Sequence, residues 1–370
     1  MTKLDTLISI SRHYGSNPTY VLAGGGNTSF KNSEELFIKA SGISLSTIDQ
    51  DGFVCMSREK LGYMEEKEYS ENVAEREEEV KNDLYGAIVN PGNLRPSVET
   101  SLHNLIRYSY VVHTHPTTVN ALMCAKNAKE EVERRFGSEA LYMEYTDPGY
   151  ILFSRLKVLI ENHEQTYGNC PKIIFLQNHG IFVGANSIQE IKAMYDSIES
   201  RIRMDRDLSL PDCKPKEHES ALSKMIAGHF SERSLISRSF SSELISHFTE
   251  SKDQNQKISR PFTPDIIVYC KSKYLFLESG STEEEVKKML ADFESDNGYY
   301  PKVIIEEKQG LIIVEESEKA VNTAMEVFMD MMKISYLSEQ FGGPGFMSDE
   351  QIAFIDNWEV ENYRRSVAKS

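Results

Sequence analysis

The chain has 370 residues, with 57 Asp and Glu against 41 Lys and Arg, a net charge of −16. That balance argues against nucleic acid as the main partner, because phosphate backbones are gripped by clustered Lys and Arg. Apolar side chains make up 40% of the residues, enough for a substantial core and too many for a disordered chain, and no run approaches the roughly 18 apolar residues of a membrane span.

In chain order, the first two hundred residues alternate between short β-rich runs and helical stretches. Leu36–Ala40, Tyr110–His113 and Ile173–Leu176 are predicted as buried strands bounded by turn residues. Helices are predicted near 3–14, 70–86, 97–108, 116–125, 149–165 and 187–206. Eight glutamates between Glu65 and Glu79 read as a solvated helix face. Residues 207–218, DLSLPDCKPKEH, combine two prolines and several charges with no apolar period, and mark a linker. A polar helical stretch follows over 221–250, then the loop-like SKDQNQKISRPFTP. A second α/β pattern then begins. Ile266–Cys270 and Tyr274–Leu277 read as strands, 282–294 as a helix, Val303–Glu306 and Leu311–Val314 as a hairpin around Gln309-Gly310, and 317–339 as a long helix. A GGPG turn at 342–345 precedes a terminal helix over 349–367, and no repeat of 20–50 residues is visible. The expected organisation is an α/β domain over 1–210, a linker and helical connection over 211–260, and a smaller α/β domain over 261–370.

The five cysteines are odd in number and at least 43 residues apart, which excludes a disulfide framework and a cysteine-type zinc site and fits a reducing cytoplasm. The opening MTKLDTLISISRHYG, polar-interrupted and without a small-residue cleavage site, is not read as a signal peptide.

Four of the nine histidines carry the chemistry: His103, His113, His115 and His179. In His113-Thr-His115, at the end of an apolar strand, residues two apart project to one face, so both imidazoles can converge on one metal ion. His179 stands in LQNHG just beyond another apolar strand and is followed by Gly180, as if the chain turned sharply after presenting it. Neighbouring strands ending in histidine would put three imidazoles around one point, the open arrangement of a catalytic zinc. Glu99 opens the run ETSLHNLIRY and shares a helix face with His103 one turn on. It can ligate the metal, act as general base, or be only a carboxylate favoured at a helix N-terminus. His103 is a candidate for support behind the metal ligands or for a plain buried histidine. GGGNTS at Gly24–Ser29 and ASG at Ala40–Gly42 read as Gly-rich turns after strands whose N–H groups can cradle an anion. They match neither the P-loop nor G-x-G-x-x-G.

The order GGGNTS, IKASG, PSVETSLH, VVHTHP, NHG resembles the class II aldolase/adducin family over roughly residues 3–206. The resemblance implies a three-layer α/β/α domain with a central mixed sheet, a Zn²⁺ ion held by His113, His115 and His179, and Glu99 at the metal as the proton carrier. It also implies a substrate phosphate pocket of Gly26, Asn27, Ser41, Gly42 and Ser97, and a homotetramer. PSVETSLH, YTDPG and FTPD are similar to the aldolase half of bifunctional rhamnulose-1-phosphate aldolase/dehydrogenase proteins. The nicotinamide-binding half is expected to be absent, since no G-x-G-x-x-G follows a strand. One departure is Val98, where the fuculose and rhamnulose aldolases usually carry a hydroxyl residue. The expected function is a cytoplasmic, metal-dependent retro-aldol lyase acting on a ketose 1-phosphate. The alternatives are an epimerase, dehydratase or other aldolase of the same superfamily, and an adducin-like binding module, against which the three histidines speak.

Overall fold

The computed structural model describes residues 2–90 and 92–357. Two compact units result. The first runs to Met123 and resumes over Asn127–Arg206, and the second comprises Cys124–Lys126 and the chain from Asp207 onward.

The first unit opens with helix α1 (Lys3–Gly15), started by a capping box in which Thr2 Oγ1 accepts from Asp5 N and Asp5 accepts from Thr2 N. Strands β1 (Asn27–Lys31), β2 (Glu35–Lys39) and β3 (Phe53–Ser57) then form an antiparallel meander. Helices α2 (Arg58–Glu66), α3 (Val73–Gly86) and α4 (Thr100–Leu105) follow, then β4 (Tyr110–Thr114), α5 (Thr117–Met123), α6 (Ala128–Phe136) and β5 (Ala140–Met143). The unit closes with α7 (Tyr150–Tyr167), β6 (Ile173–Leu176), β7 (Gly180–Ala185) and α8 (Ile188–Arg203). GGGNTS therefore leads into a strand instead of following one: Asn27 is the first residue of β1.

The sheet order is β3-β2-β1-β4-β7-β6-β5, antiparallel except for the parallel pair β5 and β6, so the sheet is mixed. One face carries Val111, Ile174, Leu176 and Phe182 against Leu102 and Leu105 of α4 and Leu156 and Ile160 of α7. The opposite face carries Thr28, whose hydroxyl meets Ser11 of α1 at 2.6 Å, Thr114, bonded to Tyr195 of α8 at 2.7 Å, and Phe175, whose ring lies 4.9 Å from Phe136 of α6. Helices thus cover both faces, the expected α/β/α sandwich.

The second unit contains β8 (Lys216–Glu217), α9 (Ala221–Ser231), β9 (Ile236–Ser241), α10 (Glu243–Thr249), α11 (Lys252–Gln256), α12 (Pro264–Cys270) and β10 (Leu275–Leu277). It ends with α13 (Glu283–Asn297), β11 (Val303–Glu306), β12 (Gly310–Glu315), α14 (Glu318–Ser338) and α15 (Asp349–Asn357). Its sheet runs β10-β11-β12-β9-β8. Residues 211–260 hold β8, α9, β9, α10 and α11, and two of those are strands of this sheet. The stretch 221–250 is accordingly two helices with a strand between them.

Ile266–Cys270 is helical, not a strand. Pro264 supplies a ready-made first turn, and Ile266 to Cys270 are all buried, so the segment lacks the polar face that would have shown a 3.6-residue period. The part of the predicted terminal helix beyond Asn357 lies outside the described residues. No helix of the described residues is long and apolar enough to cross a membrane.

Candidate active site

β4 is central, paired antiparallel with β1 and β7, in a register that sets Asn27 opposite His113 on one side and Phe182 opposite His113 on the other. The buried His113 ring stacks on Phe182 with centroids 4.2 Å apart. Its Nδ1 lies 3.0 Å from the Ile181 carbonyl, which can only accept, so Nδ1 carries the proton and Nε2 presents its lone pair. His115 stands one step past the strand, its backbone N–H donating to Tyr20 O, with its Nε2 3.0 Å from that of His113.

His179 comes from the β6–β7 turn, where Asn178 is left-handed at φ 53° and Asn120 Nδ2 donates to the His179 carbonyl. Gly180 is required by contact: a Cβ there would lie 2.5 Å from Thr114 O and 2.6 Å from the His115 ring. The result is three imidazole nitrogens within 4.8 Å of one another, the one such metal-competent group among the described residues.

Glu99 faces this trio from the residue before α4 and is only 8% exposed. Its Oε1 lies 3.4 Å from His113 Nε2 and 3.7 Å from His179 Nε2, and this buried oxygen accepts no hydrogen bond. Its Oε2 accepts from Asn27 Nδ2. A carboxylate cannot donate, so Asn27 turns its amide hydrogens toward Glu99 and its Oδ1 toward His103 Nε2. His103 must then donate from Nε2, leaving Nδ1 to accept from Ser29 Oγ at 2.7 Å. Burial, with Lys31 nearby, holds the His103 pKa well below the ordinary histidine value, so the relay is neutral. Ser29, His103 and Asn27 thus aim one carboxylate oxygen and leave the other bare.

The candidate phosphate residues are gathered beside the acid. Asn27 Nδ2 also donates to Ser97 Oγ at 3.3 Å, and that oxygen accepts from Glu99 N. Ala40 and Pro96 form a β-bridge, and Ser41 N donates to Arg95 O, so the ASG loop lies along the segment carrying Ser97. Gly26, at φ 63°, packs where a Cβ would meet the His113 carbonyl at 2.8 Å, and Gly42 is also left-handed at φ 83°. The buried Lys39 donates from Nζ to Gly24 O at 3.3 Å, adding a long side-chain donor that the sequence did not flag.

Residues 5–205 match the family model of the class II aldolase and adducin N-terminal domain. The chain belongs to that family. Among curated proteins it is 24% identical over 315 residues to an uncharacterized oxidoreductase, YuxG, of Bacillus subtilis (strain 168), covering 78% of this chain and 44% of that one, so the chain spans less than half the length of that relative. Among solved structures it is similar to the N-terminal class II aldolase domain of a conserved protein from Thermoplasma acidophilum (25% identity, TM-score 0.47, 55% of this chain and 93% of that one). It is also similar to an L-fuculose-1-phosphate aldolase from Thermus thermophilus (15% identity, TM-score 0.33, 53% and 92%).

Sequence reasoning missed the role of Ser29 beside His103, and missed Lys31 and Lys39 altogether. The signal for the first two is the alternation of β1: Asn27, Ser29 and Lys31 share a face, and a polar face on a central strand must find partners. Lys31 Nζ donates to the His103 carbonyl at 2.5 Å and is fully enclosed. Burial, reinforced by Arg58, pulls its pKa down to about 7. The folded chain then releases a proton that the unfolded chain keeps up to the ordinary value of 10.5, so this residue makes stability rise with pH between about 7 and 10.5. Urea unfolding at pH 7 and pH 9 should show a gain smaller by about 2 kcal/mol in Lys31→Met than in the wild type. The same pH dependence in both would show that Lys31 keeps its proton when buried.

Proposed function

We propose that the first unit is a metal-dependent class II aldolase that cleaves a ketose 1-phosphate, of the rhamnulose or fuculose type, to dihydroxyacetone phosphate and an aldehyde. The observation that carries this reading is Glu99 Oε1, a buried oxygen with no donor, facing two histidine Nε2 atoms. An acceptor so placed is costly unless a cation or a substrate proton meets it. The three clustered imidazoles, with the His113 tautomer fixed by Ile181, fit a divalent ion. Zinc is the first candidate, with manganese or cobalt as substitutes. Bound there, such an ion would supply Lewis acidity toward the substrate's carbonyl and hydroxyl oxygens.

The chain's own part is proton handling and orientation. In a retro-aldol cleavage the C3–C4 bond breaks, the C4 hydroxyl loses its proton to become the aldehyde, and C3 gains one. Glu99 is assigned the proton transfer to C3, a role supported by Asn27 holding its Oε2 while its buried Oε1 accepts no hydrogen bond. Asn27 touches both the acid and Ser97, so substrate bound at the loops and the proton carrier are held by one side chain. The described cysteines are all free, which supports the cytoplasm as the proposed location.

Glu99→Gln should retain bound metal while turnover falls by about 10²–10⁴-fold, the usual loss of a general base. Near-normal turnover would remove Glu99 from the reaction.

The phosphate reading rests on the Gly24–Gly26 and ASG loops, with Ser41, Gly42 and Ser97 as neutral donors and Lys39 beside them. The second reading, an unphosphorylated sugar or sugar acid, is favoured by Val98, which offers no hydroxyl. Ser41→Ala should weaken kcat/KM about two- to tenfold on a ketose 1-phosphate and leave the free ketose unchanged. Equal efficiency on both substrates, untouched by Ser41→Ala, would establish the second reading. Membership of the family also supports a homotetramer, and light scattering on the active protein should return four chain masses. A fully active monomer would refute that assembly.

A further inference from the structure

The second unit repeats the first. Adding 130 to the residue numbers of the β6–β7 pairing, Ile173↔Val183, Ile174↔Phe182, Phe175↔Ile181 and Leu176↔Gly180, yields the β11–β12 pairing, Val303↔Ile313, Ile304↔Ile312, Ile305↔Leu311 and Glu306↔Gly310. Adding 126 on the β4 side and 130 on the β7 side converts all five β4–β7 pairs into the five β9–β12 pairs. In both units the next strand outward is parallel, β5 on β6 and β10 on β11. Both sheets therefore share one order, with β8, β9, β12, β11 and β10 standing for β1, β4, β7, β6 and β5, and only β2 and β3 have no counterpart.

Local details agree as well. The preceding helices end on left-handed Gly168 and Gly298, whose N–H groups donate to Glu164 O and Glu294 O, and each is followed by Pro-Lys, Pro171-Lys172 and Pro301-Lys302. Asn178 and Lys308 are both left-handed, and their N–H groups donate to Met123 O and Thr249 O, the last residues of the equivalent helices α5 and α10. A Cβ on Gly180 would lie 2.5 Å from Thr114 O, and one on Gly310 would lie 2.4 Å from Phe240 O, the matching carbonyl. The core positions Leu156, Ile160, Ile174 and Phe182 recur as Val286, Leu290, Ile304 and Ile312.

The same numbering locates the counterparts of the site residues. His113, His115 and His179 become Ser239, Ser241 and Gln309, and carrying the offset of 126 back from helices that end at Leu105 and Ser231 sets Glu99 against Met225 of α9, which packs against the second core. Where Asn27 pairs with His113, His218 N donates to Ser239 O. The side chains there bond to one another: His218 Nε2 lies 3.3 Å from Gln309 Oε1, and Ser220 donates to Glu306 at 2.6 Å. We propose that the second unit is a duplicate of the first unit's fold in which the metal position has been lost, so the chain holds one metal ion and the duplicate is catalytically silent. Its "one ion" clause rests on the reading of the first-unit histidines as ligands; the duplication does not.

The test counts metal per chain in the full-length protein after zinc loading and dialysis. We expect one zinc in the wild type, two in S239H/S241H/Q309H, and one in that triple variant when His179→Ala is added. Ser239 and Ser241 are half-buried, so S239H/S241H serves as a milder variant and should gain one Ni²⁺ that the wild type lacks. The duplication is overturned if neither variant gains an ion while its circular dichroism matches the wild type, and the loss of the site is overturned if the wild type holds two. A metal-free wild type whose triple variant binds one zinc would support the duplication and remove the ligand role of the first-unit histidines.

Discussion

Everything at the candidate site depends on how closely the end of β4 approaches the start of β7. Thr114 pairs with Ile181, and the next step brings the Thr114 carbonyl to within 2.5 Å of where a Gly180 side chain would begin. Only glycine permits that approach. Because it is permitted, an imidazole from the β6–β7 turn meets two imidazoles from the end of β4, and their nitrogens fall within 4.8 Å. The left-handed Asn178 just before them completes the turn that delivers His179.

Around this point the protein has spent buried polar groups on orientation. Ser29, His103 and Asn27 form a chain in which each donor is dictated by the next acceptor, ending on one oxygen of Glu99. None of the three is charged, so the relay can sit between sheet and helix without the desolvation penalty of a buried ion. The exception beneath it is Lys31, which the interior pushes toward its neutral form.

The two units together separate scaffold from chemistry. The frame of paired strands around β7 and that around β12 keep the same registers, the same glycine and a left-handed residue at the same turn position, yet among the described residues only the first brings three imidazoles together. A fold of this kind positions three side chains at one sheet end whatever those side chains are, and the function belongs to the residues placed there.

The local features of this protein were determined by sequence alone. Strand alternation put His113 and His115 on one side, Gly180 marked the turn after His179, and the capped, periodic helices read correctly to within one residue at α1 and α14 and within three at α8. The order of five short motifs pointed to the family. Tertiary structure decided the rest. Ile266–Cys270 is a helix because burial on all sides removes the period by which helices are recognised. Asn27, flagged as an anion donor, gives its amide to Glu99, which only the β1–β4 register reveals. The duplication is invisible to sequence inspection because the copies retain mainly the residues that specify turns and core, such as Gly168 and Gly298 or Gly180 and Gly310. Those residues constrain the backbone, and many different side chains satisfy the same backbone, so the kinship appears in strand register and not in the order of letters.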